Sequence, residues 1–111
     1  MSVNFNKSAL LAALKPKTQT LAIDGFGDVG IVQLTVLQVD TLRAALSKEG
    51  KSEQFGLRMV QLSVVDPEDG AQVFTEDDLT SLQASSNSAV DVLVLKTLEA
   101  NGFKKAEEAK N

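Results

Sequence analysis

The sequence predicts an α+β fold: one small domain with two antiparallel β-hairpins packed against about four short helices. Three observations carry that reading. Two strand-like segments, the second alternating through β-branched Val29, Ile31 and Val32, flank a glycine-rich turn at residues 18–34. A second apolar segment runs into Asp66-Pro-Glu-Asp-Gly70, a strong turn signal. Helical apolar spacing with recognisable caps appears before, between and after these hairpins.

In chain order, residues 7–14 read as a short helix capped by Asn6 and stopped ahead of Pro16. It is apolar almost all round, and a helix this short needs a packing partner. Residues 18–24 and 28–34 form the first hairpin. Thr35 opens a helix to about Glu49: Thr35 and Gln38 fit a capping box, and Leu34 with Val39 fits the hydrophobic staple around it. Val39, Leu42, Ala45 and Leu46 form its apolar stripe, and Gly50 supplies the stop. Residues 57–65 read as a third strand with Val60, Leu62 and Val64 on one face, and residues 71–74 as a short fourth strand. Thr75 starts another helix, with Phe74 and Leu79 as its staple and Asp78 at the third position. Ser85 to Ser88 interrupts the pattern and offers a new cap. A last helix at 89–100 has Ala89, Val92, Leu93 and Leu98 inward and ends at Asn101-Gly102. The organisation expected is an N-terminal helical segment (1–17), the α+β domain (18–103) and a charged, flexible tail (104–111).

Composition narrows function. The chain has 111 residues, room for one core, and its 43% apolar and 23% charged residues are ordinary globular values. It contains neither Cys nor His, so thiolate chemistry is excluded, along with the commonest neutral-pH base and transition-metal ligand. Tyr and Trp are absent too. A carboxylate-pair enzyme is conceivable, but the expectation is a non-catalytic protein with no cofactor and no metal. A net charge of −4 argues against nucleic acid as partner. No apolar run approaches a membrane span and the start lacks the features of a signal peptide, so a cytoplasmic protein is expected.

Two apparent ligand motifs have simpler explanations. Gly25-Phe-Gly27-Asp-Val-Gly30 matches a dinucleotide-binding glycine pattern. The residues after it alternate as a strand rather than opening a helix, and Glu49 falls at a helix end instead of a strand end. Asp69-Gly70 with Glu76 matches three positions of a calcium loop, but Val65 and Pro67 would then occupy two ligand positions. The carboxylates Asp66, Glu68, Asp69, Glu76, Asp77 and Asp78 read as turn and helix-start charges. Asn6-Lys7-Ser8 is a chance glycosylation match. Phe5, Leu10, Leu11, Leu14 and Phe26 could be core or partner-facing. Phe5, Leu10, Leu11 and Leu14 are the candidate protein-binding residues, because the first helix carries more apolar surface than one packing face needs.

The stretch Val64-Val-Asp-Pro-Glu-Asp-Gly70-Ala-Gln-Val-Phe74-Thr-Glu-Asp-Asp78-Leu-Thr-Ser-Leu82 resembles a segment of the tail assembly chaperones of long-tailed, lambda-like bacteriophages. There a strand leads into an Asp/Gly turn, then Phe-Thr, an acidic pair and two leucines, with a later helix ending near Asn-Gly. The strand running into a Thr-capped helix at residues 31–46 is also similar, so the likeness covers most of 18–103. It does not extend to residues 5–14. The resemblance implies a protein that binds and solubilises the long tape measure protein and helps recruit tail tube subunits. It further implies residence in the bacterial host cytoplasm, absence from the mature virion, and possible homo-oligomers. In that family a longer form, made by ribosomal frameshifting, contacts the tail tube protein. Within residues 102–111 only Ala109-Lys110-Asn111 can be encoded by a −1 slippery heptamer. The alternative is a structural minor tail or head–tail connector component that stays in the particle.

Overall fold

A computed structural model describes residues 5–103; the tail at 104–111, including the slippery-codon candidate, lies outside them. The fold is α+β, with five α-helices and a three-stranded antiparallel sheet among the described residues.

The first hairpin forms as its pattern predicts. Strand β1 (Thr18–Ile23) pairs antiparallel with β2 (Gly27–Val32), and Gly25 in the turn and Gly27 at the start of β2 take positive φ. Helix α2 (Val36–Glu49) begins with both halves of the predicted capping box. The Gln38 amide donates to Thr35 Oγ1 at 3.1 Å, and the Thr35 amide donates to Gln38 Oε1 at 2.8 Å. Gly50 ends it at φ +71, where a side chain would be strained, and lets the Lys51 amide reach the Leu46 carbonyl.

The expected third strand at 57–65 is mostly a helix. After a single 3-10 turn at Ser52–Gln54, α3 runs over Phe55–Ser63, and only Val64–Val65 is strand, β3. The alternation of Val60, Leu62 and Val64 was one of two periods present in the same run. Phe55, Met59 and Leu62 recur at helical spacing, and Met, Leu, Arg and Gln all favour helix. This helix is buried on two sides, which removes the polar face that would have revealed its period. Phe55, Met59 and Leu62 join Leu42, Leu46 and Leu98 in one core cluster, while Val60 joins Ile31, Val64 and Ala100 in another.

The second hairpin is correspondingly reduced. β3 pairs with β2 (Ile31↔Val64, Gly30↔Val65), giving the order β1-β2-β3. The chain returns through the Asp66–Gly70 turn, but residues 71–74 make only a single bridge, Val65↔Gln72, and no fourth strand. The Gln72 side-chain Nε2 instead donates to the Gln61 and Phe74 carbonyls, tying the loop to the end of α3.

The Thr75 start holds: its amide donates to Asp78 Oδ2 at 2.8 Å, a 3-10 turn over Glu76–Asp78 follows, and α4 (Leu79–Gln83) continues. Ser86 caps α5 (Asn87–Ala100), accepting from the Ala89 amide. The inward face of α5 is rotated from the predicted one. Thr97 and Leu98 are buried and Val90, Leu93 and Val94 half-buried, whereas Ala89 and Val92 face outward. On α2, Ala45 is likewise exposed, so the stripe narrows to Val39, Leu42 and Leu46.

A polar joint fastens the helices to the sheet. The Asn101 side chain accepts from the Leu34 amide at 2.7 Å and donates to the Thr97 carbonyl at 2.9 Å. Gln33 donates to the Ala100 carbonyl and accepts from the Lys17 amide. The end of α5, the start of α2 and the entry to β1 are thus held at one corner, where the N-terminal segment leaves the domain.

Candidate protein-binding surface

Helix α1 (Lys7–Ala13) forms as predicted, with Asn6 Oδ1 accepting from the Ala9 amide at 3.1 Å. It has no buried residue. Phe5 is 82% exposed, Leu11 56% and Leu14 68%, and Leu10 is exposed as well. All four candidate residues therefore stand in solvent: Leu10 and Leu11 on a helix of about two turns that contributes nothing to either core cluster, Phe5 just before it and Leu14 at its C-cap. A core role would have required α1 to lie on the sheet or on α5, and it does neither.

The exposed apolar surface continues onto the domain. Leu14 and Pro16 border a shallow hollow with Leu34, Val36 and the residues that close α5. Val36 and Leu37, in the first turn of α2, are 79% and 75% exposed. Sequence reading passed over these two because the cap and staple explained the start of α2 without them. Leu37 is visibly out of phase with the Val39–Leu42–Leu46 stripe, and that signal could have marked it. Phe26 is also exposed, but at the far tip of the first hairpin. Apolar side chains adjoining in this way mark a surface that gains from being covered by another chain.

The ligand-like motifs are occupied structurally. Gly27 begins a strand, not a helix, so no helix N-terminus faces the glycines. Gly30 serves close packing: a Cβ there would lie 2.8 Å from Val65 Cγ2 on the neighbouring strand. In the acidic turn, Asp66 accepts from the Glu68 amide and Asp69 from the Ala71 amide, both at 2.8 Å, and Gly70 takes φ +75. Glu76 approaches Arg58 at 3.8 Å. Among the described residues no three His, Cys, Asp or Glu side chains are grouped to hold a metal ion. No helix there is long and apolar enough to cross a membrane.

A second concavity lies away from α1. It is a half-open groove of about 330 Å³ between the start of α3, α4 and the N-terminal part of α5. Its floor is apolar, with Leu57, Leu82, Val90 and Val94, and Glu53 and Asp91 stand at its edge. The groove's shape depends on Gly56, whose missing side chain lets α3 close against Val94 of α5. Sequence reading did not find it, because its walls come from three elements distant in the chain.

Comparison with protein-family models, curated proteins and solved structures returned no match to this chain.

Proposed function

We propose that this chain is a non-catalytic assembly chaperone of a long-tailed bacteriophage, acting by covering apolar segments of the tape measure protein. The resemblance of residues 64–82 to that family supplies the partner class. The single observation that carries the binding mode is the exposure of Leu10 and Leu11 on α1, and of Phe5 and Leu14 beside its two ends, with no packing role for the helix.

The physics suits the task. A long amphipathic helix in water is protected by partners that bury its apolar stripe while presenting a charged exterior. Each leucine carried from water into such a contact contributes up to about 1.5–3 kcal/mol. One short helix gives a weak contact, but copies that also hold one another along one extended client gain strongly from avidity. The acidic balance of the chain keeps the coated client soluble through mutual repulsion. Recruitment of tail tube subunits through a longer, frameshifted form, and release before the virion is finished, belong to the same reading.

Co-expression with a tape measure fragment tests it. The fragment should become soluble and co-purify with this protein. A fragment that stays insoluble, with nothing co-purifying, would overturn the reading. Finding the chain at stoichiometric levels in purified virions would favour a structural tail component instead.

A further inference from the structure

We infer that the N-terminal arm of one copy docks into the acidic-edged groove of a second copy, so that the protein associates head to tail. The arm, residues 5–17, carries Lys7, Lys15 and Lys17 and no acidic residue, within a chain of net charge −4. Its leucines are exposed. The groove offers the complement: an apolar floor of Leu57, Leu82, Val90 and Val94, with carboxylates Glu53 and Asp91 and no cation among its lining residues. Neither carboxylate has an ion-pair partner among the described residues. At about 330 Å³ the groove is roughly twice the ~150 Å³ cavity that accommodates a benzene ring, enough for two aliphatic side chains.

A second copy is favoured over the arm's own domain because the arm, complementary in charge to the groove, stays out of it in its own chain. The groove lies beside Asn87, Val90, Asp91, Val94 and Leu98 of α5, and Leu14 and Pro16 sit beside residues 99–102, at the C-terminal end of that helix. No residue of the arm lines the groove of its own chain. Because donor arm and acceptor groove are different surfaces of the chain, their contact is heterologous, which propagates into rings or open chains rather than stopping at a dimer. Such a string suits coating an extended client, and a client helix competing for the same arm would exchange with the neighbouring copy. The association itself does not rest on the tape measure reading, and its test uses this chain alone.

The test mixes two variants of the full chain. Leu11→Asp disables the arm and leaves the groove intact; Glu53→Lys/Asp91→Lys disables the groove and leaves the arm intact. All three positions are exposed, so thermal melts should match wild type. By light scattering from micromolar to near-millimolar concentration, wild type should exceed dimer mass, and high salt should reduce it. Each variant alone should remain monomeric. Mixed in equal amounts, they should form a one-to-one dimer that grows no further, because only one arm and one groove remain matched. A wild type that stays monomeric at every concentration, as docking in its own groove would give, overturns the inference. So does a groove variant that associates like wild type, which a symmetric arm-to-arm contact would produce, or a mixture that stays monomeric.

Discussion

Replacing Gly56 by alanine is expected to destabilise the protein in the wild-type background and to stabilise it once Val94 is cut back to alanine. Gly56 is the second residue of α3, and a Cβ built there lies 2.8 Å from Val94 Cγ1. Val94 cannot easily turn away, because a β-branched side chain in a helix has essentially one favoured rotamer. Overpacking of this kind costs about 1–3 kcal/mol. Against it stands the helix preference of alanine over glycine, at most about 1 kcal/mol and less near a helix start. The net expectation for Gly56→Ala is a loss of about 1 kcal/mol, or a melting temperature lower by roughly 4–8 °C. In Val94→Ala the obstructing methyl is gone, and the same substitution should add about 0.5 kcal/mol. Urea titrations of the four proteins in the cycle read the sign change directly. If Gly56→Ala stabilises both backgrounds equally, α3 and α5 do not touch at this point and the groove between them has a different shape.

Two further substitutions probe the frame around the arm. Asn101→Ala removes the acceptor of the Leu34 amide and the donor to the Thr97 carbonyl in a half-buried corner, and should cost about 1–3 kcal/mol by chemical denaturation; a change below about 0.5 kcal/mol would mean the joint holds nothing. Thr35→Ala deletes the side-chain half of the α2 capping box and should cost about 1 kcal/mol, whereas Thr35→Ser, which keeps the acceptor oxygen, should cost much less.

Local chemistry was legible in the sequence and long-range packing was not. Thr35 with Gln38, Gly50, the Gly25–Gly27 turn and Asn101-Gly102 each specify a boundary through groups within a few residues, and each boundary lies within a few residues of where those groups put it. Residues 55–65 defeated the same reasoning because a segment buried on two sides carries apolar residues at both helical and strand spacing. The inward face of α5 was misjudged for a related reason: Val90, Val92, Leu93 and Val94 are all apolar, and only packing against α3 and β2 selects among them. The candidate residues on α1 could be named from excess apolarity, but their exposure depends on nothing in the fold covering them. Val36, Leu37 and the α3–α5 groove emerge only when distant segments are brought together.

The central claim is that the leucines of α1 and its C-cap serve a partner and not the core. Leu11→Ser/Leu14→Ser tests it with two readouts on one protein, the melting temperature and the affinity for a tape measure fragment. Both side chains are more than half exposed, so folding should be little affected, with a melting temperature within a few degrees of wild type. Loss of two apolar contacts of about 1–1.5 kcal/mol each should weaken binding roughly 30- to 150-fold. A melting temperature lowered by more than about 10 °C, with fragment affinity unchanged, would make these leucines core and contradict the account.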